Sequence, residues 1–230
     1  MYDVDQALPR YIVHFGVYGL DVANTHMHAA GDGLVRHNLH PQRVFDPDNQ
    51  LQMHFRLAEA QFLRTLHNGS GNLKLIKVEY VVNPKLIKSF EAQQAEFEKK
   101  GESTDIVLAF HGTRTREAVD RIVQHNFDPQ RIGSATDAGC YGKGFYFSEF
   151  ASTSMGYGGS GNMLLCRLLP GKTFDALGRM DGQRIKQGFH SHRVAKNADG
   201  CGNEIVIDNP DQILPCYILH VGQLGGAMPS

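Results

Sequence analysis

Apolar residues recur at helical spacing in the segment 52–66, where Phe55, Ala58 and Phe62 lie three or four positions apart. This spacing predicts an amphipathic helix. The segment 73–82 alternates apolar and polar positions instead, and this alternation predicts a strand. The chain therefore begins its regular structure with a helix followed by a strand.

The pattern continues with a second helix and then with a series of short strands. Asn83-Pro84 predicts a helix start, because asparagine is a good N-cap and proline suits the first helical position. A further helix is predicted around 118–123, from the spacing of its apolar residues. The strand-like runs of the second half are 106–110, 163–169, 205–207 and 216–221. Glycine-rich loops separate most of these runs.

The first fifty residues do not share this periodicity. They are rich in Gly, His, Asn, Asp and Pro, and we predict an irregular N-terminal extension over 1–50, with no function assigned to it. A single domain is predicted over 51–223, followed by a short C-terminal tail at 224–230. A chain of 230 residues is long enough for one sizeable domain with a real core.

Composition and charge exclude several classes of protein. An apolar content of 41% and a charged content of 20% are typical of a soluble globular protein. A net charge of -1 gives no overall attraction for nucleic acid. No apolar run approaches the roughly 18 residues of a membrane span, and Asp3 and Asp5 stand where a signal peptide needs a basic start. We therefore expect an intracellular protein of the nucleus or cytoplasm, with no membrane partner.

Cysteine and histidine usage gives no indication of a metal site. The four cysteines form no CxxC pair, which is typical of a reducing compartment. Several of the twelve histidines lie in the first forty residues, but no cysteine or carboxylate accompanies them at ligand spacing. We therefore expect the protein to bind no metal.

Five short sequences in the second half carry the candidate chemistry. They are Phe110–Thr113, Tyr141–Ser148, Ser154–Tyr157, Asn203–Ile207 and Asp211–Pro215. Their candidate residues are one His (His111), two Tyr (Tyr146 and Tyr157) and one Glu (Glu204), each on or beside a strand-like run and interleaved with glycines. Aromatic rings bind flat cationic groups, and polar side chains bind hydroxyls. The set therefore suits a cleft that holds a positively charged ring and the ribose hydroxyls of a dinucleotide.

In this order the five sequences resemble the catalytic domain of the poly(ADP-ribose) polymerase family of ADP-ribosyltransferases, whose signature triad is His, Tyr and Glu. The resemblance covers about residues 55–223. It implies an α+β fold, with two small, mostly antiparallel sheets packed together with flanking helices. It also implies transfer of ADP-ribose from NAD, as co-substrate, to protein acceptors with release of nicotinamide. Nucleic-acid acceptors stay open, nicotinamide-mimicking inhibitors are expected ligands, and no metal is implied.

The resemblance implies a role for each member of the triad. His111 is expected to bond a hydroxyl of the adenine-side ribose. Tyr146 is expected on one side of the nicotinamide ring. Glu204 is expected to bond the 2′-hydroxyl of the nicotinamide ribose, to stabilise the cationic transition state and to polarise the acceptor hydroxyl. Asp208 is the competing carboxylate at the end of the same apolar run, and general base catalysis is an open alternative for His111.

The same resemblance implies the remaining contacts to NAD. Tyr157 is expected to stack on the nicotinamide ring opposite the triad tyrosine. The backbone of Gly112 and the hydroxyl of Ser154 are expected to bind the carboxamide, with the serine as a donor. Thr113 belongs to the same binding set, and Arg131 is expected to meet the pyrophosphate.

The sequence leaves open whether the product is a single ADP-ribose unit or a chain, and whether the protein is an active transferase. A glutamate at 204 makes poly- or oligo-ADP-ribosylation possible. However, Asn83-Pro84 and the short loop 128–140 look more like the mono-ADP-ribosyltransferases of the family, and the fifty preceding residues are too few for a helical regulatory domain. Two further alternatives are the related NAD-dependent RNA 2′-phosphotransferase and a catalytically inactive module that binds NAD or ADP-ribose.

Overall fold

A computed structural model describes residues 33–42, 49–66, 72–133, 139–158, 162–196 and 202–223. The helices in these ranges are α1 (Gln50–Arg64), α2 (Pro84–Lys99), α3 (Arg116–His125) and α4 (Ala151–Met155), with single 3-10 turns at Pro129–Arg131 and Pro210–Gln212. The strands are β1 (Val35–Leu39), β2 (Leu73–Val82), β3 (Val107–Gly112), β4 (Phe145–Phe147), β5 (Asn162–Leu168), β6 (Thr173–Asp175), β7 (Ser191–Val194), β8 (Glu204–Ile207) and β9 (Ile213–Gln223). No helix in these ranges has the length and apolar character needed to cross a membrane.

The strands form two sheets. The larger sheet has the order β1-β2-β9-β5-β3, and all of its neighbouring pairs are antiparallel. The smaller sheet has the order β4-β8-β7-β6, in which only β6 and β7 are parallel. These sheets and their few helices confirm the predicted α+β fold with two mostly antiparallel sheets.

The larger sheet is covered on both faces by apolar side chains. On one face, aromatic residues of α1 and α2, among them Phe55 and Phe90, pack around Tyr217 of β9. On the other face, α3 and the smaller sheet contribute a second cluster that includes Val119 and Ile207. Full burial of each such side chain is worth about 1.5–3 kcal/mol. The second cluster therefore fixes the smaller sheet against the larger one.

The predicted helix start at Asn83-Pro84 is confirmed. The Asn83 side chain accepts a hydrogen bond from the backbone N–H of Leu86, as an N-cap does, and Pro84 is the first residue of α2. The same side chain donates to the backbone oxygen of Val123 at 2.9 Å. The cap therefore also joins the start of α2 to the end of α3.

The prediction of an irregular extension over 1–50 is wrong at Val35–Leu39. These residues form the edge strand β1, which pairs with β2 from Val35 opposite Val82 to Leu39 opposite Val78. The strand has no clear apolar alternation, so its pairing with β2 determines its conformation rather than its own pattern. Residues 1–32 and the predicted tail 224–230 lie outside the described ranges.

A buried carboxylate, Glu79 of β2, is the centre of an ion-pair network on the face that α3 covers. Its Oε1 lies 3.0 Å from Arg116 Nη2, 3.0 Å from Lys77 Nζ and 2.8 Å from His220 Nε2. Arg36 of β1 lies 3.7 Å from its other oxygen. Burial by itself raises the pKa of Glu79, but hydrogen bonds from the lysine, arginine and histidine outweigh it and hold the pKa at about 2. The network therefore favours the ionised form.

We expect Glu79 to make the stability of the protein depend on pH. Its pKa is 4.5 ordinarily and about 2 in the folded protein, so the unfolded chain takes up the proton first as the pH falls. The stabilisation is therefore complete above about pH 5 and is lost between about pH 4.5 and pH 2, with about 2 kcal/mol lost by pH 3. Urea unfolding measures the free energy of unfolding at pH 7 and at pH 3. Between these two pH values, it should fall by about 2 kcal/mol less in Glu79→Gln than in the wild type. An equal loss of stability in the wild type and in Glu79→Gln would contradict this role of Glu79.

Candidate active site

A backbone bridge between β3 and the end of β4 joins the two sheets. Phe110 N–H donates to Ser148 O at 2.7 Å, and Ser148 N–H donates to Phe110 O at 3.0 Å. A cavity of about 430 Å³ opens beside this bridge. The sequence-predicted site residues in its wall are His111, Gly112, Thr113, Arg131, Tyr146, Ser154, Tyr157 and Glu204. The structure therefore brings all of the predicted site residues to one cavity.

His111 follows the bridge directly and is half-buried in the cavity wall. Its Nδ1 lies 2.9 Å from the backbone oxygen of Tyr146. Because a carbonyl oxygen only accepts, Nδ1 must carry the hydrogen, and the neutral ring keeps Nε2 as an acceptor. Burial lowers the pKa of His111, although the bond to the Tyr146 carbonyl acts in the opposite direction. The ring is therefore neutral at neutral pH, with Nε2 able to accept a hydroxyl hydrogen.

Tyr146 lies on β4 and is held at its hydroxyl as well as at its backbone. The hydroxyl donates to the backbone oxygen of Gly142 at 2.7 Å and accepts the backbone N–H of Tyr141 at 3.0 Å. Its backbone oxygen accepts from His111. The hydroxyl is thus engaged within the protein, and Tyr146 offers chiefly its ring to the cavity.

Gly112 is a glycine because α4 packs against it. A Cβ at this position would lie 2.0 Å from the backbone oxygen of Ser154, a distance that no side chain tolerates. The backbone of α4 therefore occupies the place that a side chain at position 112 would take. Any side chain here would push α4, and with it the end of the cavity, away from β3.

Ser154 is buried in α4 and uses its hydrogen within the protein. Its Oγ donates to the backbone oxygen of Phe110 at 3.0 Å. In this arrangement the hydroxyl oxygen remains as an acceptor, whereas the sequence predicts a donor to the carboxamide. An acceptor suits the NH2 group of a carboxamide rather than its oxygen.

Tyr157 is an exposed aromatic ring at the same cavity, with 52% of its surface accessible. Large apolar side chains that stay exposed beside a cavity often mark a ligand contact. Arg131 lies at the rim in the 3-10 turn Pro129–Arg131, with its Nε 3.7 Å from Asp128. An aromatic ring and a cation thus both line one cavity.

Glu204 is the buried carboxylate of the cavity, with only 5% of its surface exposed. It is the first residue of β8, and Asn203 before it ties this strand to the turn after β4. The Asn203 side-chain oxygen accepts the backbone N–H of Glu149 at 2.9 Å and the Ser148 hydroxyl at 3.3 Å. A carboxylate in a buried strand is unusual unless it is paired, as Glu79 is, or has a chemical role.

Asp208, the competing carboxylate, is not part of the cavity wall. It is half-buried just after β8, and burial raises its pKa. Glu204 is therefore the carboxylate of this strand that lines the cavity.

A family model for the poly(ADP-ribose) polymerase catalytic domain matches residues 53–198 of the 230-residue chain. The chain belongs to this family. The match includes the motif residues from His111 to Tyr157, and Glu204 lies six residues beyond its end (204 − 198 = 6). No curated protein matches the chain.

Poly(ADP-ribose) polymerase catalytic domains use NAD as their substrate, and the chemistry of the cavity fits such a molecule. The cations in its wall are exposed side chains: Arg114, Arg121, Arg131 and Lys143. The two acidic residues in the wall are Asp128 and Glu204. A diphosphate favours a cationic rim, and a cationic ring favours aromatic faces and a buried carboxylate. The cavity offers both environments.

Three of these cations, Arg114, Arg121 and Lys143, are not predicted as site residues from the sequence. Arg114 directly follows the predicted Thr113. Arg121 lies on α3, where an exposed arginine looks like an ordinary surface residue until the helix is placed beside the cavity. Lys143 has a clearer signal, since it lies within the motif Tyr141–Ser148. Its position at the cavity follows from the bond of its backbone N–H to Gln183 O at 2.6 Å.

The described portion of the chain contains no group of metal ligands and no paired thiols. Over residues 33–42, 49–66, 72–133, 139–158, 162–196 and 202–223, no three His, Cys, Asp or Glu side chains form a group that could hold a metal ion. Cys140, Cys166 and Cys216 are free thiols, and burial raises the pKa of the latter two. Cys201 lies outside the described ranges.

Proposed function

We propose that the protein is an active ADP-ribosyltransferase that cleaves NAD in this cavity, releases nicotinamide and transfers ADP-ribose to a protein acceptor. The observation that carries the proposal is the buried carboxylate of Glu204 in the same cavity as the neutral His111 and the rings of Tyr146 and Tyr157. A module that only binds NAD has no need of a buried carboxylate in this position.

The reaction breaks the bond between the nicotinamide nitrogen and the ribose carbon. Nicotinamide takes the bonding electrons and leaves as a neutral molecule, so it needs no proton. The ribose then carries positive charge, as in the oxocarbenium-like transition state of glycoside hydrolysis. A fixed negative charge beside that carbon stabilises the transition state more than the ground state. We assign this role to Glu204.

The nicotinamide ring occupies the space between Tyr146 and Tyr157 in this proposal. Aromatic contacts of this kind contribute about 0.5–1.5 kcal/mol each, and up to about 2 kcal/mol when the ring is cationic. The carboxamide binds to the backbone of Gly112 and to the Ser154 hydroxyl, whose oxygen accepts from the NH2 group. Together these contacts orient the bond that breaks.

We expect Tyr157→Ala to weaken the binding of benzamide, a nicotinamide mimic, by about 2- to 13-fold, the equivalent of one aromatic contact. Tyr157 is half-exposed, so its loss should leave the fold intact. Isothermal titration calorimetry measures the affinity. Leu177→Ala is the control, because Leu177 is fully exposed and lies outside the cavity wall.

A structure with bound benzamide completes this test. We expect the ligand between Tyr146 and Tyr157, with its carboxamide at the backbone of Gly112. Equal affinities for the Tyr157 and Leu177 variants, or a ligand bound elsewhere, would contradict the proposed nicotinamide pocket.

The presence of Glu204 supports chain elongation. The same carboxylate can polarise a ribose hydroxyl of an ADP-ribose unit that is already attached, so a second unit can be added. Transfer of a single ADP-ribose unit is the alternative outcome. Release of nicotinamide from NAD by the purified protein tests whether the protein is an enzyme at all. Binding of NAD without any release would favour the inactive module instead.

A further inference from the structure

The hydroxyl of Tyr146 is held by the turn that opens the motif Tyr141–Ser148. Tyr141 donates its backbone N–H to this hydroxyl, and Gly142 accepts from it. Gly142 has a φ of +119°, a conformation that other residues rarely adopt. The position of Tyr146 is therefore only as fixed as the backbone of this turn, which we call the 141–142 turn.

A buried histidine of β7, His192, holds the 141–142 turn from the other side. It has 0% of its surface exposed, and its Nδ1 lies 2.8 Å from the backbone oxygen of Tyr141. Its Nε2 accepts the backbone N–H of Lys186 at 2.9 Å. Since Nε2 accepts, Nδ1 of the neutral ring carries the hydrogen and donates to Tyr141. Both ring nitrogens are thus used, and the tautomer is fixed.

The smaller sheet places His192 and Tyr146 on the same face. Val206 of β8 lies opposite Tyr146 of β4 on one side and opposite His192 of β7 on the other. Residues directly opposite on neighbouring strands share a face of the sheet. The 141–142 turn packs against the imidazole of His192. A Cβ at Gly142 would lie only 2.6 Å from His192 Nδ1.

We propose that His192 is a positioning residue for Tyr146. It fixes the 141–142 turn, the turn fixes the Tyr146 hydroxyl, and the backbone oxygen of Tyr146 in turn holds Nδ1 of His111. The chain of hydrogen bonds therefore runs from β7 through Tyr146 to the histidine of the triad. The consequence for ligand binding rests on the proposed function, because it takes Tyr146 as one wall of the nicotinamide pocket.

A merely structural role for His192 predicts a different result from a role through Tyr146. If His192 acts through the Tyr146 hydroxyl, then its loss should have no further effect once that hydroxyl is absent. Residues that act through one network show such non-additive effects. If His192 only supports the general fold, its loss should have the same effect with or without the hydroxyl.

The experiment is a double-mutant cycle of His192→Leu and Tyr146→Phe, with benzamide affinity measured by calorimetry. We expect His192→Leu alone to weaken binding by about 5- to 10-fold, and by less than about 2-fold in the Tyr146→Phe background. His192→Asn, whose amide can replace the Nδ1 donor, should restore binding to within about 3-fold of the wild type. An equal loss of affinity in both backgrounds, or no loss in either, would overturn the proposal.

A second readout needs no ligand and so separates this proposal from the proposed function. The backbone amide of Tyr141 donates to the Tyr146 hydroxyl, and amide hydrogen exchange by NMR reports on that bond. We expect about tenfold faster exchange at Tyr141 in His192→Leu and in Tyr146→Phe, with little further change in the double variant. Unchanged exchange in His192→Leu would overturn the positioning role.

The measurements also cover a wild type that does not bind benzamide and a His192→Leu variant that does not fold. Wild-type protein that fails to bind benzamide contradicts the proposed pocket, while the exchange at Tyr141 still tests His192. Should His192→Leu not fold, His192→Gln replaces it, because a glutamine amide can reach toward the Lys186 N–H but not toward the Tyr141 oxygen. Wild-type exchange at Tyr141 in the glutamine variant would then overturn the proposal.

Discussion

Glu204→Gln is expected to lower the turnover of NAD by about 10²-fold or more, while the affinity for NAD stays near that of the wild type. Removal of one preorganised electrostatic group from an active site commonly costs about 10² to 10³ in rate. Glutamine has nearly the same shape, so the substitution removes the charge of a buried side chain and little else. Elongation should be abolished as well. Steady-state kinetics and binding of NAD measure the two quantities separately.

Asp208→Asn is the matched control for this substitution. It makes the same change of charge four residues further along the same segment (208 − 204 = 4), at a half-buried carboxylate outside the cavity wall. We expect near wild-type turnover from this control. An equal loss of affinity and turnover in Glu204→Gln would make Glu204 a ground-state ligand instead, and unchanged turnover would contradict its catalytic role.

We expect His111→Ala to act mainly on the binding of NAD. The neutral ring keeps Nε2 as an acceptor, and the proposed partner is a ribose hydroxyl far from the bond that breaks. Loss of one such hydrogen bond costs about 1–3 kcal/mol, which is about a 5- to 150-fold increase in the Michaelis constant. The turnover number should change little, because the ground state and the transition state use the contact equally.

A second substitution shows which ring nitrogen matters. His111→Asn can retain a donor to the Tyr146 oxygen, as Nδ1 does, but offers nothing in the place of Nε2. We therefore expect the asparagine variant to resemble the alanine variant in its Michaelis constant for NAD. Asparagine kinetics close to wild type would instead mean that His111 acts by supporting Tyr146.

General base catalysis by His111 predicts a different pattern. Turnover would collapse in the alanine variant while the affinity for NAD was kept, and the pH–rate profile would lose its acidic limb. Burial lowers the pKa of His111 from 6.5, so this limb would lie below pH 6.5. A loss of turnover alone would therefore contradict the binding role.

Local sequence signals predict much of the fold correctly, and they place the candidate site residues on or beside strands. The Asn83-Pro84 helix start, the strand over 73–82 and the buried run before His111 all depend on neighbours in sequence, and the structure has each of them. The motif residues could be assigned because the five motifs, in this order, resemble those of the family, and each lies on or beside a predicted strand. These residues share one cavity because their strands pair in the folded protein. Only the family resemblance led us to expect this pairing.

The features that the sequence does not predict depend on distant contacts. Strand β1 has no apolar alternation and exists because β2 offers it an edge. The need for glycine at position 112 comes from α4, about forty residues later, and the donor direction of Ser154 comes from the oxygen of Phe110. The role of His192 has no local signal at all, since its partner Tyr141 lies 51 residues away. Such contacts become visible only in the folded protein.

The most direct test of the central claim is incubation of the purified protein with NAD labelled on its ADP-ribose, followed by denaturing electrophoresis. We expect label on protein in the wild type, as a high-mass smear if the chain is elongated or as a discrete band if a single unit is transferred. Label should fall by about 10²-fold or more in Glu204→Gln and stay near wild type in Asp208→Asn. The absence of label from the wild type, with NAD still bound, would contradict the claim that this cavity transfers ADP-ribose.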